Sequence, residues 1–337
     1  MVTQRPPRRR AWGADHDPVV AAVGIAYAYV GAARRRVAHA RRDETDLARL
    51  ARDVHEARKA LKRARAHLAL VAPLVDRRDA QDLARRCRDV GRALAPARDA
   101  TIVVEAFEAV LASVPDPIAT DTPPSSVLET LRSLLAVERD EALRALCDGP
   151  ALGAARHALR TLEHDVASLQ EAVRRGGPKA WARGVERMHG RARQAALRAS
   201  AASDDGERAH RARQRWKAMG HVLRAFESAW PAQIAPLADA IEDVCECIGD
   251  HHDTLVLVER MRQVPGGAMS EAATWVAVNA RLRADALLER AHPLLQRLAA
   301  ERSDAFAARH RGYLRAALRE TRSARVGVPA PDAAPLL

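Results

Sequence analysis

Two stretches of this 337-residue chain are versions of one another, and that restricts the possible folds more than any other feature. HEARKALKRARAHLALV (His55–Val71) aligns without a gap to HRARQRWKAMGHVLRAF (His210–Phe226). Each is followed by a second matched segment, GRALAPARDATIVV (Gly91–Val104) and the shorter GDHHDTLVLV (Gly249–Val258). The length alone would suit two or three domains. An internal duplication suggests instead one unit written twice, its copies packed as a single pseudo-symmetric body.

The copies are helical in pattern. Apolar residues recur at helical spacing, with Leu47, Leu50, Val54, Leu61, Leu68 and Val71 forming one stripe. Aromatics are only 3% of the chain, whereas sandwiches and barrels draw on aromatic and β-branched residues, so the expected class is all-α. The expected helices run from about Pro18 to Arg42, Asp46 to Ala72, Arg77 to Leu94 and Arg98 to just before Pro115. Asp17-Pro18 reads as an N-cap with proline in the first turn. The Pro-rich stretch Ser113–Ser126 reads as a loop, and further breaks are expected at Gly149-Pro150, Gly176-Gly177-Pro178, Ala202–Gly206, Pro231, Gly249-Asp250 and Pro265-Gly266-Gly267. This divides the chain into a basic tail (1–16), a first bundle (17–175), a second bundle (178–321) and a disordered Pro/Ala tail (322–337).

Export and membrane insertion read weakly. Arg8 to Arg10 precede an apolar run from Pro18 to Ala33, but Asp15 and Asp17 interrupt the junction and Arg34-Arg35-Arg36 follow at once. The run falls short of the ~20 residues that span a bilayer. Four scattered cysteines (Cys87, Cys147, Cys245, Cys247) suit a reducing compartment, and the expectation is a cytoplasmic protein. Cys245 and Cys247 point to different sides of a helix, which suits no metal.

Lys+Arg total 55 against 43 Asp+Glu, and the placement of that excess is informative. On a helical wheel His55, Arg58, Lys59, Lys62, Arg63 and Arg65 share one arc without a carboxylate, opposite the apolar arc. In the second copy the arc holds His210, Arg213, Lys217, His221 and Arg224, while Trp216, Met219, Leu223 and Phe226 take the apolar side. A solvated face normally mixes signs, because like charges four apart repel by about 0.2–0.5 kcal/mol per pair. Self-repulsion maintained in both copies points to a counter-charge from outside the chain, and two such ridges facing each other would make an anion-binding cleft. The basic arcs carry no Phe, Tyr or Trp on which bases could stack, and no duplex-docking motif is apparent, so the arrangement suits phosphate without bases.

HEARKALKRAR and HRARQRWKAM resemble the paired His-x-x-Arg…Lys/Arg motifs of the CHAD family (conserved histidine α-helical domain). GRALAPARDATIVV and GDHHDTLVLV resemble the segment that follows in that family, and the likeness covers about residues 18–320. It implies two antiparallel helical bundles related by a pseudo-two-fold axis around a basic central cleft or pore. It further implies a non-catalytic protein that binds inorganic polyphosphate, without cofactor, metal, membrane or specific nucleic acid, at polyphosphate granules. By position it implies that His55, Arg58, Lys59, Lys62, Arg63 and Arg65, with His210, Arg213 and Lys217, line the site. The second copy departs from the first at Gln214, Ala218 and Gly220, so His221 and Arg224 are expected to substitute there and the second half to bind more weakly. Arg34, Arg35, Arg36, Arg41 and Arg42, with Arg183, Arg187, Arg191 and Arg193, are expected to extend the basic surface. His55 and His210, mid-arc among cations, are expected to stay neutral until phosphate arrives. Asp99 and Asp253 read as N-caps or as partners of the basic arc.

His251-His252-Asp253 invites a competing reading, a metal-dependent phosphohydrolase of the HD type. The duplication argues against it, since Arg98 stands where His252 stands and arginine does not ligate metal. A generic nucleic-acid-binding helical protein is the other alternative.

Overall fold

The computed structural model describes residues 11–39, 46–75, 77–114, 122–200 and 206–326. Among the described residues the chain forms eleven α-helices, one 3-10 turn and no strand. In chain order they are α1 (Pro18–His39), α2 (Leu47–Val71), α3 (Arg77–Ala93), α4 (Ala95–Leu111), α5 (Ser125–Asp148) and α6 (Pro150–Ala172). Then come α7 (Gly177–Ser200), α8 (Gly206–Ala225), α9 (Pro231–Met261), α10 (Ala268–Ala300) and α11 (Ser303–Val326).

Local chemistry sets most of the boundaries. One Asp17 carboxylate oxygen accepts from Val19 N at 2.9 Å and from Val20 N at 3.3 Å, and Pro18 has no N–H to leave orphaned in the first turn. The other oxygen of Asp17 accepts from Gly177 N at 2.8 Å, which ties the start of α1 to the start of α7. Gly177 sits at φ 62°, a conformation that favours glycine. Asp46 caps α2 through Arg49 N at 2.8 Å, and Pro73 stops it.

α2 packs between α1 and α3, and α6 closes that group against α1 and α3. The second half pairs in similar order: α8 packs on α7 and α9, and α11 lies on α7. α2 also packs on α8, so the two groups meet along the helices that carry the basic arcs. One continuous core draws on both, from Val54, Leu61 and Leu68 of α2 to Trp216, Met219 and Leu223 of α8. Each fully buried large side chain of this kind is worth about 1.5–3 kcal/mol, which fixes the apolar arcs inward and turns the basic arcs outward. A second, smaller core forms where α4 and α5 meet the C-terminal part of α9 and the start of α10, around Phe107, Leu131, Leu257 and Val276.

Three expectations change. The break expected at Gly249-Asp250 does not occur, because α9 runs unbroken from Pro231 to Met261. Gly249 serves close approach instead: a Cβ there would lie 2.5 Å from Arg213 Nη2. The N-terminal tail does not extend to residue 16, since Trp12 is 2% exposed, stacks on Phe226 at 5.7 Å and donates its backbone N–H to Ala225 O at 2.8 Å. Arg322 to Val326, expected in the C-terminal tail, belong to α11, and residues 327–337 lie outside the described residues. No helix among the described residues is long and apolar enough to cross a membrane. All four cysteines are buried, and burial pushes the Cys87 and Cys245 thiols up to about 12.

Candidate functional site

The apolar arc of α2 is buried at Val54, Ala57, Ala60, Leu61, Ala64, Leu68 and Val71. That burial holds His55, Arg58 and Lys62 on the opposite side of the helix. Trp216, Met219, Leu223 and Phe226 anchor α8 in the same way and hold out His210, Arg213 and Lys217.

Five of these side chains, Arg58, Lys62, His210, Arg213 and Lys217, act on one another across the two helices. Burial pulls the Lys62 ammonium down to about 8, and Arg58 on its own helix together with Arg213 and Lys217 on α8 pull in the same direction. Lys62 is nevertheless accessible to solvent. Lys62 thus meets positive charge from both helices. Lys217 is likewise lowered, by burial and then by Arg213.

The two histidines stand at comparable points. Burial and then Arg98 and Lys59 pull His55 down to about 4. Burial and then His252, Arg213 and Lys62 do the same to His210, also to about 4. His252 lies against His210 in a tilted arrangement, with ring centroids 4.4 Å apart and ring planes at 41°, so it takes the place beside His210 that Arg98 takes beside His55. Both imidazoles are therefore neutral at pH 7 and poised to gain a proton beside an incoming anion.

Hydrogen bonds fix the two arginines. Arg58 Nη1 donates to Gly91 O at 2.6 Å, and Arg213 Nε donates to Cys245 O at 2.8 Å. Each guanidinium is thus clamped to the next helix, α3 or α9, with donors left over. Asp99 and Asp253 supply negative charge at the walls. Neither is an N-cap, because Leu94 precedes α4 and Asp253 lies inside α9. Asp99 acts on Arg58, and Asp253 is raised by burial against the opposing pull of Arg213, His252 and Arg98.

The remaining expected residues separate. Arg65 lies among Arg88, Arg215 and Arg92. Lys59 turns to Glu56 on its own helix at 2.9 Å, and Arg63 lies over the Tyr29 ring at 5.6 Å. His221 is half-buried beside Arg63, Lys217, His67 and Lys62 at the α2–α8 contact, and burial pulls its imidazole well below its ordinary range. Arg224 does not join the cleft, because Asp239 at 2.5 Å, Glu227 at 3.1 Å and Glu242 at 3.3 Å neutralise it. Arg36 is paired with Asp53 at 2.8 Å and Arg34 with Glu163 at 2.5 Å. Arg187 donates to Ala69 O at 2.6 Å and Arg193 to Ala299 O at 2.9 Å, so both tie helices together. Arg35, Arg183 and Arg191 are exposed on α1 and α7, and Arg41 and Arg42 lie outside the described residues.

Four basic residues of these surroundings escaped the wheel: Arg98, Arg88, Arg92 and Arg215. The first three lie on α3 and α4, and only the packing of those helices on α2 brings them in. The spacing of Arg88 and Arg92, four apart on one face, was a signal for that pair. A separate hollow of about 410 Å³ between α4, α5 and α9 is rimmed by Asp99, Glu138, Glu259 and Arg260 and has no excess of cations to attract an anion.

The family model of the CHAD domain matches residues 31–262, a span that includes both ridges. The chain belongs to the CHAD family. A solved structure, the CHAD domain from the plant Ricinus communis, is similar with a TM-score of 0.60 at 18% identity, over 85% of this chain and 94% of that one. At that identity the likeness is one of fold, and it agrees with the all-α architecture of this CHAD protein. No curated protein matches the sequence.

Proposed function

We propose that this chain is a non-catalytic binder of inorganic polyphosphate, held in the cleft between α2 and α8, and that it resides in the cytoplasm at polyphosphate granules. The observation that carries the reading is Lys62, an accessible ammonium whose proton is weakened by burial and by three like charges from two helices. Such crowding costs folding energy that a bound polyanion returns, and fixed, partly desolvated cations bind phosphate oxygens more strongly than solvated ones. The matched segments and the recurring order of packed helices support descent from a duplicated unit, with the cleft along its internal junction.

Two other readings lack such support. The two large rings of the second copy's ridge segment face inward, with Trp216 0% and Phe226 1% exposed. Among the described residues no three His, Cys, Asp or Glu side chains gather as a metal site, and His252 is engaged with the ring of His210.

Calorimetric titration with long-chain polyphosphate tests the reading. The parent binds, and R58Q/K62Q/R213Q/K217Q loses at least about a hundredfold in affinity through the counterions it no longer releases, with its helical circular dichroism unchanged. Equal binding by parent and variant would contradict the assignment. Metal-dependent release of orthophosphate would favour the hydrolase instead, and an oligonucleotide outcompeting polyphosphate at equal phosphate would favour nucleic acid.

A further inference from the structure

α9 holds against α8 the place that α3 holds against α2. A glycine marks the same contact on each: Arg58 donates to Gly91 O, and Arg213 lies against Gly249. With these glycines matched, Arg85 falls opposite Asp243, Arg88 opposite Glu246 and Arg92 opposite Asp250, and all six are exposed. The sign of the surface charge therefore reverses between the two flanks.

The reversal extends to the residues on the two ridge helices. The charged neighbours of Arg65, at the α3 flank, are Arg88, Arg92 and Arg215. The carboxylates nearest Lys217, at the α9 flank, are Glu242 and Glu246. Among the described residues no carboxylate pairs with Arg65, Arg92 or Arg215, and Arg88 reaches Asp89 only at 3.8 Å. The α9 strip repels itself as well, since burial and then Glu242, Asp250 and Asp243 raise Glu246.

We propose that a long polyanion leaves the cleft over one flank only: Arg65, Arg88, Arg92 and Arg215 form a second anion subsite at α3, and the carboxylates of α9 turn the chain away. This rests on the cleft being the polyphosphate site. The physical basis is that a polymer longer than the cleft must run across the surface, and it follows unpaired cations because each phosphate contact releases a counterion. The α9 flank offers like charge at the matching positions and so gains nothing from contact with the polymer.

Ligand length separates the two parts of the path. Tripolyphosphate and long-chain polyphosphate are titrated into the parent, R88Q/R92Q and D243N/E246Q over a series of salt concentrations. R88Q/R92Q keeps the parent's affinity for tripolyphosphate. It binds long chains roughly three- to tenfold more weakly, with a log–log salt slope shallower by about 1.4, near 0.7 per lost contact. D243N/E246Q binds long chains more tightly than the parent. Long-chain binding by R88Q/R92Q equal to the parent's would overturn the subsite while leaving the cleft standing, as would the same response from both flanks. Failure of the parent to bind either anion would overturn both readings.

Discussion

Set side by side, the α2–α3 flank and the α8–α9 flank share one construction and carry opposite charge. In each, a ridge helix is pinned by an apolar stripe, a ridge arginine is clamped to the next helix, and a histidine stands beside a second basic group. The outward positions of α3 include Arg85, Arg88 and Arg92, together with Asp79 and Asp89, and the matching positions on α9 are Asp243, Glu246 and Asp250. Packing constrains the inward face, where a lost methylene costs about 1 kcal/mol, and leaves the outward face free to diverge. The scaffold therefore keeps two matching halves while the surface becomes one-sided.

Core truncation gives the largest expected effect and tests whether the halves are one body. Trp216 and Leu61 occupy matching positions and are 0% and 1% exposed. Trp216→Ala should cost about 3–5 kcal/mol and Leu61→Ala about 2–5 kcal/mol in chemical denaturation. Because one core crosses both halves, each variant should still unfold in a single transition. Separate transitions for the halves would break the comparison at its base.

A smaller effect comes from pH and distinguishes the shared cleft from the divergent flanks. Free Lys62 loses its proton near 8, and a bound polyanion would hold that proton more firmly. Below pH 8 the ammonium is charged in both states, so it adds no pH dependence. Above pH 8 binding must restore the proton, and affinity should fall by up to about tenfold per pH unit. K62R/K217R should flatten this fall, because guanidinium stays charged throughout the range. An unchanged pH profile in that variant would remove Lys62 and Lys217 from the site.

Much of the fold could be read from the chain, because proline, glycine and capping residues act locally. Asp17-Pro18, Asp46 and Pro73 bound their helices as their chemistry requires. Gly249 misled because the same residue type ends helices and permits close contact, and only the arriving Arg213 distinguishes the two uses. The ridges were readable for a similar reason, since a wheel describes one helix well. It says nothing of a second helix. Arg224 therefore looks available on the wheel although Asp239 and Glu242 of α9 meet it, and Arg98 and Arg215 join the basic surroundings only where α4 and α8 pack on α2.

The central claim can be tested on four lysines. Lys59, Lys62, Lys179 and Lys217 are the only ones in the chain, and Lys179 is exposed on α7, where it provides an internal control. Acylation near pH 8, followed by peptide mass spectrometry, reads each separately. Lys62, with its lowered proton affinity, should react fastest, and saturating long-chain polyphosphate should protect Lys62 and Lys217 while Lys179 keeps its rate. Unaltered labelling of Lys62 under saturating polyphosphate, or equal protection of Lys179, would contradict the central claim.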